Sequence, residues 1–150
     1  MKMNSDKENL LFSLIAGKIG RIRGKRKMNA EQKSRAEREM DLVETRLSRW
    51  VAEGKHRIKY GCLEDILFDL DLTSYELTLY CSTRLKKTFL CRRKELRMEE
   101  AKKMLLEHPD MPAYQVGKAL GITDKSNFRH QFKSVTGLTP SQWRVKFKKE

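Results

Sequence analysis

Residues 116–132 read VGKALGITDKSNFRHQF. Val116, Leu120 and Ile122 are spaced as one helical face running into a turn, and Phe128 and Phe132 stand four apart on a second helix. Gly117 gives the small side chain needed where two helices cross closely, and Gly121 supplies a turn position open to positive φ. Thr123 is placed to cap the helix that follows. The stretch predicts two helices joined by a tight turn.

The same arrangement occurs fifty residues earlier. Ile66 matches Val116, Leu70 matches Leu120, Leu72 matches Ile122 and Thr73 matches Thr123 at an offset of 50. One extra residue then shifts the register, so that Leu77 matches Phe128, Cys81 matches Phe132 and Thr88 matches Thr139 at an offset of 51. Two copies of one supersecondary unit follow from this repetition. In the earlier copy Thr73-Ser74-Tyr75-Glu76 spells a capping box, and in the later one Thr139-Pro140-Ser141-Gln142 spells another, with proline at its favoured first helical position.

Working outward, Leu90, Arg93, Leu96, Arg97, Ala101, Met104 and Leu105 predict a long helix from Thr88 to about Glu107, ended by His108 and Pro109. Met40, Val43, Leu47, Trp50 and Val51 put an apolar stripe on a helix that starts near Glu31 and that Gly54 can end in a left-handed cap. Trp50 and Trp143 each lie on an amphipathic helix and read as core plugs rather than as platforms for a base. Seven helices and no convincing strand define the expected class: all-α, with two helix-turn-helix subdomains at 31–87 and 109–150 joined by a linker helix at 88–108.

The length of 150 residues excludes a large multidomain enzyme. Lysine and arginine number 33 against 20 acids, for a net charge of +13 and a pI of about 9.8. That field favours a polyanion, nucleic acid or an anionic membrane surface. The longest apolar run, Leu10 to Ala16, is interrupted by Ser13 and stopped by Gly17, whereas a spanning helix needs about 20 apolar residues. Asp6 and Glu8 stand where a secretory leader is positive. Cys62, Cys81 and Cys91 are too few and too oddly numbered to staple the fold, so a reducing cytoplasm is the expected compartment, and Cys81 is expected in the core.

Residues 1–30 read as a basic flexible arm, punctuated by Gly17, Gly20 and Gly24 and carrying Lys18, Arg21, Arg23, Lys25, Arg26 and Lys27. Leu10, Leu11, Leu14, Ile15, Ile19 and Ile22 also fit a short amphipathic helix. Lying along phosphates, entering a minor groove and raising solubility are equally open roles for the arm.

Catalytic and metal chemistry find little here. His56, His108 and His130 share no spacing that implies a common site, there is no C-x-x-C or H-x-x-x-H, and the glycines of the arm follow no strand. No enzyme activity, cofactor or metal is expected. On the helix after Gly121, by contrast, Lys125, Ser126, Asn127, Arg129, His130 and Lys133 occupy the faces that Phe128 and Phe132 leave. Arginine, asparagine and lysine are the side chains that hydrogen-bond base edges in the major groove.

The segment from Trp50 to Lys148 resembles the DNA-binding domain of the AraC/XylS family of bacterial transcription regulators. The residues that carry the resemblance are Leu96-Arg97-Met98-Glu99-Glu100-Ala101-Lys102, Ala119-Leu120-Gly121-Ile122, Ser126-Asn127-Phe128-Arg129-His130-Gln131-Phe132-Lys133 and Thr136-Gly137-Leu138-Thr139-Pro140-Ser141-Gln142-Trp143-Arg144. The resemblance implies two recognition helices offered to the major groove. It directs Lys125, Ser126, Asn127, Arg129 and His130 to bases, and Lys133, Thr139 and Arg144 to phosphates. In the first copy the matching face holds Ser74, Tyr75, Thr78 and Leu79, followed by Ser82, Thr83, Lys86 and Lys87 as backbone contacts. That copy departs from the family pattern: Leu67 stands where a small residue is usual, and Asp71 and Lys86 stand where glycines are usual. The resemblance directs Ser74, Tyr75 and Thr78 to bases, while the departures favour docking mainly on the backbone, with Lys86 and Lys87 supplying charge.

A helix over the 20 residues Thr88 to Glu107 spans roughly 30 Å at about 1.5 Å per residue, close to the 34 to 36 Å between successive major-groove windows. One chain is therefore long enough to engage two adjacent windows as a monomer on double-stranded DNA. The expected function is a sequence-specific transcription regulator that contacts RNA polymerase, with activation what the resemblance implies. It is either controlled by its abundance or the output part of a larger regulator, and no membrane partner is expected. The competing class is a non-specific nucleic-acid-binding architectural protein, in which charge does most of the binding and salt abolishes it steeply.

Overall fold

The computed structural model describes residues 29–148. The basic arm and the helix considered over Leu10 to Ile22 lie outside the described residues. Seven α-helices and no strand occur among the described residues: α1 (Ala30–Ala52), α2 (Leu63–Leu70), α3 (Ser74–Tyr80), α4 (Phe89–Glu107), α5 (Ala113–Ala119), α6 (Lys125–Thr136) and α7 (Pro140–Phe147). A 3-10 turn, Lys55–Arg57, follows α1, and a wide π-type turn, Cys81–Leu85, follows α3. The arm ends earlier than its expected boundary at residue 30, because Asn29 already caps α1. Its side chain accepts from the Gln32 amide while Gln32 reaches back to the Asn29 amide. Gly54, just past α1, takes the left-handed conformation the sequence requires there.

Two apolar clusters form. The first gathers Met40, Val43 and Trp50 of α1 with Ile66, Leu70, Leu72, Leu77, Tyr80, Cys81 and Phe89. The second gathers Met98, Ala101 and Leu105 of α4 with Val116, Leu120, Ile122, Phe128 and Phe132. The helix α4 thus enters the first core at Phe89 and the second through its later turns. Trp50 is buried and donates its Nε1–H to the Tyr60 hydroxyl at 3.2 Å, while Trp143 meets the edge of Phe132. Both tryptophans are core residues. Cys81 is buried, and burial pushes its thiol up to about 11, which leaves it an inert packing group.

The repetition seen in the sequence is structural. Leu72 and Ile122 are both buried at the turn, and their amides donate to the carbonyls of Leu67 and Gly117 at 3.0 and 2.9 Å. Asp71 and Gly121 are both left-handed, and so, one copy to the other, are Lys86 and Gly137. The two aspartate and lysine positions are the only positive-φ residues other than glycine among the described residues. Asp71 is compensated by Arg46, which pairs with its carboxylate at 3.0 Å and also donates to its carbonyl. Lys86 has no such compensation. Replacing it with glycine is expected to raise the unfolding free energy by about 0.5–1 kcal/mol, the left-handed cost less the entropy glycine brings, measurable by urea titration.

Beneath the first core, Asp69 accepts from Lys55 Nζ at 2.8 Å and from the Tyr60 hydroxyl. The Lys55 hydrogen bond, then that of Tyr60, holds the Asp69 carboxyl below its ordinary value, and the Thr73 hydroxyl and amide do the same for Glu76. Carboxyls depressed on folding stabilise the protein fully above their unfolded value of about 4, and the contribution fades as pH falls through the folded values. Asp69→Asn is accordingly expected to lose stability at pH 6 and to flatten the acid limb between about pH 4 and pH 2; equal slopes for variant and parent would refute this.

Candidate nucleic-acid interface

The helix α6 is positioned by its own apolar stripe and by its first turn. Phe128 and Phe132 are buried, so the remaining faces turn outward by helical periodicity, and Lys125, Ser126, Asn127, Arg129, His130 and Lys133 are all exposed. The cap at its start differs from the expected one. Asp124, not Thr123, is the N-cap, accepting from the Asn127 amide at 2.5 Å. The extra residue that shifts the repeat from 50 to 51 lies here, so the true counterpart of Thr73 is Asp124. An aspartate also adds a negative charge at the positive end of the helix dipole.

Gly117 explains how closely α5 approaches α6. A Cβ built there falls 2.6 Å from Phe128 Cγ, so any larger residue collides with the ring. In the first copy Leu67 occupies the same place and the smaller Leu77 replaces phenylalanine, so volume moves across the contact while the motif is kept. The side chain of Asn127 accepts from Gln131 Nε2 at 3.0 Å, which leaves its amide hydrogens free to donate. The ion pairs found among the described residues include none of Lys125, Arg129, His130 or Lys133. Four cationic or ionisable groups with no acid against them make one face of α6 a surface for an anionic partner.

The first copy presents a different surface. Helix α3 and the wide turn after it cover Ser74 to Leu85, the same length as α6, but the last five residues are wound as a π turn. That winding takes Ser82 and Thr83 off the register a straight helix would give them. Ser74, Tyr75, Thr83 and Lys86 are exposed, whereas Thr78 is half-buried and Ser82 donates its hydroxyl to the Leu79 carbonyl at 3.1 Å. Lys87 does not point to an outside phosphate. Its ammonium lies 2.9 Å from both carboxylate oxygens of Glu95. Arg84 is held between Asp41 and Glu44 at 3.0 and 3.5 Å. Ser74, Tyr75, Thr83 and Lys86 are the exposed groups of this face whose side chains have neither a hydrogen bond nor an ion pair to the described residues.

Two further residues assigned to phosphates are engaged within the chain. Arg144 is turned inward, its guanidinium donating to the carbonyls of Leu105 and His108 at 2.9 Å and Met111 at 2.5 Å. It closes the C-terminal end of α4, whose last carbonyls otherwise lack partners. Thr139 is buried and spends its side-chain oxygen on the Gln142 amide at 3.2 Å, as a helix cap. Lys133, Thr83 and Lys86 remain from the phosphate set with free polar ends.

The sequence reading missed a cluster on the opposite side of α4. Arg97 donates to the His56 carbonyl at 2.7 Å and to the Ile58 carbonyl at 3.0 Å, and Arg93 reaches the same two oxygens. Glu100 accepts from His56 Nε2 and from Arg57 Nε, both at 2.9 Å. The i, i+4, i+7 spacing of Arg93, Arg97 and Glu100 was the available signal that these three share a face.

Among known proteins, the model of the helix-turn-helix domain family matches residues 69–146, just over half of the chain. No curated protein matches the sequence. Two solved structures resemble the fold. One is the C-terminal domain of AraT, a response regulator from Geobacillus stearothermophilus, at 21% identity and a TM-score of 0.62 over 73% of this chain and 88% of that one. The other is a protein of unknown function from Listeria innocua, at 23% identity and a TM-score of 0.59 over 71% of this chain and 97% of that one. At those identities the likeness is one of fold, two all-helical neighbours of the same architecture. No described helix is long and apolar enough to cross a membrane. With the family match lying over the duplicated turn and the cationic face of α6, the chain belongs to the AraC-type helix-turn-helix family of DNA-binding transcription regulators.

Proposed function

We propose that this protein reads a specific DNA sequence through α6, with Lys125, Ser126, Asn127, Arg129 and His130 toward base edges and Lys133 on a phosphate. The observation that carries the reading is the exposed face of α6, whose cations have no acid partner within the described chain. Helix α3 offers Ser74 and Tyr75 to a second major-groove segment, with Thr83 and Lys86 on the backbone. Fewer free donors there make it the weaker reader. A single chain would cover two adjacent windows and act in the cytoplasm as an activator that contacts RNA polymerase.

Selection from a random duplex pool at about 150 mM salt tests this. One enriched motif spanning two segments about ten base pairs apart is the expected result, with the more strongly constrained segment under α6. Enrichment of no motif, with binding that merely decays along a steep salt slope, would replace the reading by that of an architectural protein bound through its charge.

A further inference from the structure

We infer that Arg93, Arg97 and Glu100 form a clasp that fixes the angle between the two recognition helices before DNA is met, and thereby sets the half-site spacing the protein accepts. The inference rests on the two-segment reading above for its consequence, though not for the clasp itself.

Three elements meet at this point. The segment His56–Ile58 belongs to the first half, leaving α1 through Gly54. Helix α4 carries the two arginines and the glutamate. The turn at Gly121 belongs to the second half, and it approaches so closely that a Cβ built on Gly121 would fall 1.9 Å from the Arg57 carbonyl oxygen and 3.1 Å from Arg97 Nη2. The halves are therefore joined twice, covalently through α4 and again by a non-covalent dock of the first half's loop on the second half's turn.

The chemistry of the dock favours rigidity. Both arginines aim at the same two carbonyl oxygens, so His56 and Ile58 are each held by two donors from successive turns of one helix. Burial, and secondarily the neighbouring charge of Arg93, pulls Arg97 down to about 10, so it keeps its proton at neutral pH and its bonds remain charge-assisted. His56 is itself buried, its Nδ1 has no partner among the described residues, and its Nε2 is hydrogen-bonded to Glu100 at 2.9 Å. Glu100 in turn holds the Arg57 guanidinium on the far side of the same loop. The carbonyls on either side of Arg57, whose own carbonyl faces Gly121, are thus pinned from α4, and the Arg57 side chain is held by Glu100. A long helix alone would leave the first half free to pivot about Lys86–Thr88; the clasp removes that freedom and raises the effective concentration of the second recognition helix once the first is bound.

The test uses the full chain with Cys62→Ser and Cys91→Ser, spin-labelled at Glu64→Cys on α2 and Lys118→Cys on α5, both exposed positions. Without DNA, the parent is expected to give one narrow distance distribution and Arg97→Met one at least about twofold broader, with Arg97→Lys in between because an ammonium cannot hold both carbonyls. In parallel, binding to duplexes whose half-sites are moved apart or together by one base pair should fall roughly tenfold for the parent and no more than about threefold for Arg97→Met. A lower melting temperature alone does not count for the clasp. If Arg97→Met does not fold, Glu100→Gln decides by the same two readouts, since it keeps the shape and removes the carboxylate charge that faces Arg57 and His56. A folded variant with the parent's narrow distribution overturns the clasp, and broadening with the parent's spacing preference overturns its role in spacing. If the random-pool selection finds no motif, the DNA-free distances still decide the clasp, so only the sequence-reading proposal falls.

Discussion

Gly121→Ala is expected to destabilise the protein by about 3 kcal/mol or more, the largest effect expected of an alanine at any described glycine. Two costs add. Gly121 sits at φ 77°, where an L-residue loses about 1–2 kcal/mol to the clash of its Cβ with its own backbone. The new methyl would also meet the Arg57 carbonyl oxygen at 1.9 Å and its carbon at 3.0 Å. These are backbone atoms that no rotamer change can move, so the loop must leave the turn, and overpacking of that kind costs a further 1–3 kcal/mol or so. Gly137→Ala is the control. Its φ of 78° is nearly identical, but nothing lies within 4 Å of the added carbon, so only the conformational part, about 1–2 kcal/mol, is expected. Urea unfolding followed by helical circular dichroism separates the two. Equal losses would mean that the close approach to Arg57 contributes nothing, and with it the second connection between the halves would fall.

The contrast between Gly121 and Gly137 marks where sequence was sufficient and where it was not. The turn, the caps at Thr73 and Thr139 and the stripes of α1, α4 and α6 depend on residues three to five apart, and local rules of spacing and φ are written into neighbouring letters. The duplication added a second reading of the same rules, and the family pattern marked Asp71 and Lys86 as standing where glycines are usual, the two positions that the structure shows in the left-handed conformation. The position of Thr123 was misjudged by one residue because the shift in the repeat falls within the turn. Roles that depend on distant partners were out of reach. Arg144 was directed to a phosphate by the family resemblance, and the carbonyls it binds are 33 to 39 residues away. Lys87 carries a charge that Glu95 consumes only because α4 starts where it does. The bonds from Arg93 and Arg97 join residues 35 to 41 apart, and those to Glu100 join residues 43 and 44 apart. A cation in a sequence is either a ligand for something outside or a partner for something inside, and only the fold decides between them.

Arg129→Ala is expected to reduce affinity for the selected sequence by about 1–3 kcal/mol, roughly 5- to 150-fold, while changing affinity for unrelated DNA by little more than the loss of one charge. The reasoning starts from what the side chain lacks. Arg129 is exposed and has neither an acid nor a carbonyl to hold it among the described residues, and it follows directly on buried Phe128, which fixes the helix face. Its planar fork can therefore be given whole to one base, and a bidentate pair with guanine distinguishes that base from the other three. The loss should be confined to the position it reads, so selection with the variant is expected to return the same motif with one or two positions blurred. Lys133→Ala supplies the opposite signature. A phosphate contact carries no sequence information, so all duplexes should weaken alike and the slope of log affinity against log salt should become shallower by about 1. Arg129 and Lys133 lie one turn apart on the same face, so the two patterns can be exchanged only if the helix sits in the groove shifted by about one turn along its axis. If Arg129→Ala weakens every sequence equally and Lys133→Ala blurs the motif, the base-reading turn of α6 is the one at Lys133. If both merely change the salt slope, α6 binds the backbone alone, and sequence preference must come from α3 or from the shape of the DNA.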